Sequence, residues 1–392
     1  MVIARFESAV PDDVLINLRQ RLRATRWPDE IDGAGWDYGV PLPVLRDLVD
    51  YWERTFDWRE VERRTKAFPN VLVDTGEIRL HAIHARGTGP SPIPLLIAHG
   101  WPSSFLEMLD LIPLLTNPAA HGGDAADAFD VVVPSLPGYG FSERPMRRGF
   151  SYGDAARSLR ELMAALGYSR FGAHGHDHGA AILGRLAVYE PERFIGYHTS
   201  EPGIAARPDP ADPTLSDAER EYFRVQAEWQ REDDGYARIQ ATRPQRLAYG
   251  LTDSPAGLAA WLLDKWQVWT APPGGDLTQS FSGDTLLANV TLYWLTGTAN
   301  SSARAYYEGA HPISSVSDDP LLRPLGDRRI TVPTGVALVA TQPIERIPRE
   351  MAARRFTDIR HWVELPRGGH FIAGEEPELL ADSIRAFFRP LR

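Results

Sequence analysis

Apolar positions near the start of the chain recur at helical spacing. Over residues 10–26, Val14, Leu15, Leu18 and Leu22 fall on one side, with Asp12 and Asp13 at the start. A second stripe, Leu45, Leu48, Val49 and Trp52, predicts a helix near Leu42–Phe56. Neither belongs to a strand–helix–strand unit, so residues 1–70 read as an added N-terminal segment. Strand patterns follow at Asn70–Val73 and Ile78–His84. Six further runs have the uninterrupted apolar character of buried parallel strands: Ile93–His99, Phe129–Pro134, Tyr168–Ala173, Phe194–Thr199, Val332–Ala340 and Ile359–Leu365. Helical patterns lie among them at 103–115, 151–167 and 180–189, with a closing helix at 376–388. Alternation of this kind predicts an α/β fold with a doubly wound, mostly parallel sheet. From about 205 to 328 the alternation stops. Tryptophan-rich, helix-like stretches such as Leu215–Gln230 and Leu258–Trp269 predict an inserted helical cap over the carboxyl ends of the strands. The expected division is 1–88 for the N-terminal extension and first strands, 89–204 and 329–392 for the core, and 205–328 for the cap.

Composition narrows the class. The 392 residues suit one large domain with insertions, and 43% hydrophobic with 24% charged residues is ordinary for a globular protein. A net charge of −10 argues against nucleic acid or an anionic membrane as partner. Cysteine is absent, which removes disulfides, thiolate catalysis and cysteine-ligated metal. No run approaches the roughly 18 apolar residues of a membrane span. Acidic residues follow Met1 before any signal-peptide core forms. The expectation is a soluble, cytoplasmic protein; no feature decides between a monomer and a homodimer.

The most informative segment is His174-Gly-His-Asp-His-Gly179, between a predicted strand and the apolar helix beginning at Ala180. Strand, Gly-x-nucleophile-x-Gly turn and helix form the nucleophile elbow of α/β-hydrolases. Here Asp177 occupies the nucleophile position. A carboxylate attacks sp³ carbon bearing a strained or good leaving group and forms an alkyl ester, so epoxides and alkyl halides are the natural electrophiles. His99-Gly-Trp-Pro102 follows a predicted strand one unit upstream. In this fold that loop and the residue after the nucleophile supply the oxyanion-hole amides, here those of Trp101 and His178. Gly138–Ser142 reads as a tight turn with no assigned chemistry. Of the 11 histidines, His370, in Gly368-Gly-His-Phe371 after the last predicted strand, stands where the fold presents its general base. His176 and His178 flank the nucleophile, but side chains two residues apart across a sharp turn should diverge, so no metal site is expected.

Taken together, His99–Pro102, Gly138–Ser142, Gly175–Gly179, Asp253–Ala260 and Gly368–Phe371 give a chain that resembles the epoxide hydrolases of the microsomal type, the branch with an N-terminal extension. Without an N-terminal anchor it is similar to the soluble bacterial members. The resemblance implies a small-molecule epoxide substrate and no metal or organic cofactor. It also implies two cap tyrosines that hold and protonate the epoxide oxygen, matched by Tyr236 and Tyr306. The family's usual third triad member is an acid after the strand beginning at Val332, and the matching position carries Gln342. Two glutamates could replace it: Glu345, three residues on, and Glu201, directly after the strand 194–199. Some haloalkane dehalogenases, which share the aspartate nucleophile, keep their acid at the end of that strand, so Glu201 is the preferred candidate and Glu345 the alternative. A dehalogenase would want a tryptophan after the nucleophile, where this chain has His178. A non-catalytic, ligand-binding hydrolase fold would explain Gln342 but not the survival of the other groups.

Overall fold

Nine strands form a single sheet in the order β1-β2-β3-β5-β4-β6-β7-β8-β9. They are β1 (Ile3–Arg5), β2 (Asn70–Asp74), β3 (Arg79–Ala85), β4 (Ile93–Ala98), β5 (Phe129–Pro134), β6 (Phe171–Gly175), β7 (Phe194–Thr199), β8 (Thr334–Leu338) and β9 (Ile359–Glu364). The computed structural model describes residues 2–202, 209–270, 277–311 and 318–392. The pairs β1–β2, β2–β3 and β3–β5 are antiparallel, and the five pairs from β5–β4 to β8–β9 are parallel. Leu95–Ile97 of β4 and Val131–Val133 of β5 are fully buried, as strands covered on both faces must be. Each such aliphatic side chain contributes about 1.5–3 kcal/mol relative to exposure.

The chain leaves β4 toward β5 on one side and returns to β6 on the other. The carboxyl ends of β4 and β6 are thus neighbours at a topological switch point, the crevice where open α/β sheets bind ligands. The loop after β4 carries Trp101, and the turn after β6 carries Asp177.

Several boundaries differ from those the sequence predicts. The elbow strand begins three residues later than Tyr168, because Gly167 turns the chain at φ +90° and Tyr168–Arg170 spend their length reaching the sheet. The following helix begins at Asp177 itself and runs to Tyr189. The helix expected over 103–115 is two pieces, a 3-10 turn Phe105–Met108 and a helix Leu111–Thr116. A helix at Trp58–Lys66, capped by the Asp57 side chain, and the short strand β1 have too little periodicity to be legible.

Between β7 and β8, seven helices are found among the described residues, from Asp217–Glu232 to Ala299–Ala310. The N-terminal helices strap this layer: Arg21 donates to the Asp253 carboxylate at 2.8 Å, and the Tyr51 hydroxyl donates to Asp284 at 2.8 Å. The helix Gly283–Thr296 in turn grips the loop after β4, with Asn289 donating to the Pro102 carbonyl (2.7 Å) and Tyr293 to the Ser103 carbonyl (2.8 Å). Among the described residues no helix is long and apolar enough to cross a membrane.

Candidate active site

Asp177 has φ +49°, the only non-glycine residue in the left-handed region among those described. That conformation costs an L-residue roughly 1–2 kcal/mol and persists only where the surroundings enforce it. The enforcing contacts are visible. A Cβ on Gly179 would stand 2.2 Å from the Ala98 carbonyl oxygen, and one on Gly100 would stand 2.3 Å from the Asp177 Cβ. The spacing Gly-x-Asp-x-Gly therefore lets the helix Asp177–Tyr189 press its first turn onto β4, with the carboxylate at its positive end. The Asp177 backbone N–H donates to Glu201 Oε2 at 2.7 Å, which ties down the strained turn.

The two Asp177 oxygens have different environments. Oδ1 accepts from the amides of Trp101 (2.8 Å) and His178 (2.5 Å), the two donors expected from sequence. Oδ2 lies 4.0 Å from His370 Nε2. The Trp101 loop is braced by His99, whose Nδ1 faces the Gly100 carbonyl at 3.0 Å while Nε2 accepts from the Leu136 N–H at 3.2 Å. Burial pushes His99 down to about 4, so it stays a neutral brace.

His370 is held by three contacts that the sequence does not reveal. Its N–H donates to the Trp269 carbonyl at 2.9 Å. Glu375 accepts from the amides on either side, Gly369 at 3.0 Å and Phe371 at 3.1 Å. A carboxylate five residues after a loop histidine, able to fold back on it, is the signal that could have found Glu375.

The acid on the imidazole is Glu345, with His370 Nδ1 and Glu345 Oε1 2.5 Å apart. This corrects the preference for Glu201. The reason is local: after β8 the chain makes a 3-10 turn over Pro343–Glu345, which carries Glu345 back beneath the imidazole. Gln342 is turned away and donates from Nε2 to the Val268 carbonyl at 3.0 Å. Glu201 is occupied by the elbow amide, yet it remains close, since one side-chain nitrogen or oxygen from each of Glu201, Glu345 and His370 lies within 4.8 Å of the others. Burial alone would depress the His370 pKa, but the Glu345 carboxylate, with Asp177 and Glu201 behind it, raises it well above the ordinary histidine value. The Glu201 carboxyl is itself raised, by burial first and then by the negative charges of Glu345 and Asp177.

Tyr236 and Tyr306 converge from the helical layer onto this point. The Tyr236 ring stacks on Trp101, with centroids 5.0 Å apart and planes within 5°. Tyr306 meets Trp101 edge-on at 5.7 Å and lies 4.7 Å from the His178 ring. Burial raises both phenols well above their ordinary value, helped at Tyr236 by Asp177 and at Tyr306 by Tyr236 and then Asp177, so both keep their protons at neutral pH. Tyr236 rests in turn on Lys265, whose ammonium lies 5.2 Å from its ring centroid and is paired with Asp233. The His176 and His178 side chains diverge: His176 packs toward His370 at 5.4 Å between centroids, whereas the His178 Nδ1 approaches the Tyr139 hydroxyl at 3.3 Å.

Fold and geometry together define an α/β-hydrolase with an aspartate at the nucleophile position. Residues 3–108 match the family model described as epoxide hydrolase N terminus, and residues 93–298 match that of the alpha/beta hydrolase fold. A protein of Stigmatella aurantiaca named "Putative epoxide hydrolase" is 40% identical over 100% of this chain and 86% of its own length. Epoxide hydrolase 1 of Sus scrofa is 32% identical over 98% of this chain and 88% of its own. The crystal structure of juvenile hormone epoxide hydrolase from Bombyx mori superposes with a TM-score of 0.89 at 28% identity, covering 100% of this chain and 95% of that one. The chain belongs to the epoxide hydrolase family, and its activity is that of a hydrolase opening small-molecule epoxides.

Proposed function

We propose that Asp177 Oδ2 attacks an epoxide carbon from the back side while Tyr236 and Tyr306 hold and protonate the oxygen. The product of this step is a hydroxyalkyl ester on Asp177. His370, oriented by Glu345, then takes a proton from water as the water attacks the ester carbonyl. The tetrahedral oxyanion forms on Oδ1 and is received by the Trp101 and His178 amides. Collapse releases a vicinal diol and restores the carboxylate. Loss of the Asp177 charge on esterification removes one of the anions that hold His370 protonated, so the imidazole becomes available as a base when it is needed.

The observation that carries this reading is the inequality of the two Asp177 oxygens. One is fixed by two amides at 2.8 and 2.5 Å, and the other faces the imidazole at 4.0 Å. That arrangement suits a carboxylate that becomes an ester on one oxygen and an oxyanion on the other. Walls built from Trp101, Tyr236, Trp269 and Tyr306 favour an apolar or aryl epoxide.

The test is intact-protein mass spectrometry of His370→Gln incubated with aryl and alkyl epoxides. The expected result is a stable adduct of the whole epoxide mass at Asp177, absent from an Asp177→Ala, His370→Gln double variant. An adduct at another residue would refute the assignment.

A further inference from the structure

Two buried titratable groups beside the site have no part in that scheme. His176 is 1% exposed, and neither ring nitrogen makes a hydrogen bond among the described residues. A buried imidazole without partners calls for an explanation. On one side its ring stands edge-to-face with His370, centroids 5.4 Å apart. On the other, its Nε2 lies 3.7 Å from Glu107 Oε2. Glu107, on the 3-10 turn after the Trp101 loop, also accepts from the Ser103 hydroxyl. It forms part of the wall of a cavity of about 430 Å³ between the N-terminal helices, the loop after β4 and the helix Gly283–Thr296. Asp177, His370, Tyr236 and Tyr306 do not line that cavity. His370, His176, Glu107 and the cavity thus form a continuous line.

We propose that Glu107 is a positioning residue for the base: coupled to His370 through His176, it exchanges a proton with water in this cavity and so sets the charge beside the imidazole. The inference rests on the ester mechanism above and adds a group to its second half. The exchange breaks the Glu107 O–H bond and forms an O–H bond on water in the cavity, and runs in reverse when the carboxylate takes the proton back.

Burial raises the Glu107 carboxyl from 4.5 to about 7; the Ser103 hydroxyl, His370 and the Ala373 amide oppose the rise and Glu375 adds to it. The charged groups of the cavity wall are themselves engaged. Arg64 pairs with Asp110 at 2.8 Å, Glu60 with Arg63, and Asp57 caps its own helix through the Arg59 amide. Asp284 accepts from Tyr51. Below neutrality Glu107 is an uncharged acid. Above it, Glu107 is a carboxylate; once esterification has removed the Asp177 charge and left the imidazole neutral, that carboxylate stabilises the imidazolium that forms as His370 takes a proton from water. Hydrolysis of the Asp177 ester should therefore rise about tenfold as pH increases from about 6 to about 8.

Quenched-flow mass spectrometry under single-turnover conditions reads formation and decay of the ester separately. In Glu107→Gln, the expected decay rate is flat across that range and about tenfold below the parent at about pH 8, with ester formation unchanged. Glu107→Asp should restore the rise. Ser103→Ala, which removes a donor that favours the carboxylate, should shift the rise to higher pH and keeps the question answerable if Glu107→Gln does not fold. A Glu107→Gln or Ser103→Ala profile identical to the parent would overturn the inference. Absence of any Asp177 ester in the parent would instead sink the mechanism on which it rests.

Discussion

Replacing Glu345 by glutamine should stall the second half-reaction and spare the first. The amide oxygen can still accept from His370 Nδ1, so orientation survives and only the charge is lost. Nδ1 and Oε1 are 2.5 Å apart, and the two side chains are 5% and 6% exposed. Placing the charge centres about 4 Å apart, opposite unit charges at an effective dielectric near 20 interact by about 4 kcal/mol. If that stabilisation is expressed as the imidazolium forms, ester hydrolysis slows by about a thousandfold. Glu201→Gln should behave differently. Its carboxyl, raised by burial and then by the charges of Glu345 and Asp177, bonds the Asp177 amide rather than the imidazole, and a glutamine oxygen can still accept that amide. A loss of less than about tenfold is expected. Quenched-flow mass spectrometry of the two variants, scored as ester formed and ester remaining, separates them. Ester accumulating in Glu201→Gln while Glu345→Gln turns over like the parent would refute the assignment of Glu345.

Tyr236→Phe and Tyr306→Phe should each slow ester formation by about tenfold to a hundredfold, and the double variant by far more, because one phenol can partly replace the other; an unchanged ester-formation rate in both single variants would remove them from the reaction. Among the described residues, Asp233→Asn leaves the buried Lys265 ammonium with only Asp264, at 3.0 Å, as its carboxylate partner. It should cost about 2–3 kcal/mol of stability by urea titration and slow ester formation through movement of Tyr236. Gly179→Ala forces a Cβ to within 2.2 Å of the Ala98 carbonyl; a loss of at least about 1–3 kcal/mol in the same titration is expected, and a neutral result would mean the elbow is looser than its geometry.

The sheet was legible because its strands are buried on both faces and stand out as apolar runs, and the elbow was legible because its glycines have no steric alternative. Asp177, His370 and the Trp101 and His178 amides could be placed from the loops that follow such strands. The third acid could not. Gln342, Glu345 and Glu201 are separated by how one short loop turns, and a 3-10 turn at Pro343–Glu345 has no periodicity to read. Glu375 and Glu107 are not legible in the sequence for another reason. A buried glutamate is identified by what surrounds it, and Lys265 beneath Tyr236 belongs to the same class. The helix Trp58–Lys66 is not legible because charged residues dominate its nine positions and its buried face is Trp58, Val61, Glu62 and Thr65.

The claim at the centre is that the oxygen added to the substrate passes through Asp177. One turnover of the parent enzyme in heavy-oxygen water, with enzyme in excess over epoxide, tests it directly. The account predicts an unlabelled diol and a heavy oxygen in the peptide containing Asp177. A labelled diol with an unlabelled Asp177 would mean that water attacks the epoxide itself and would contradict the account.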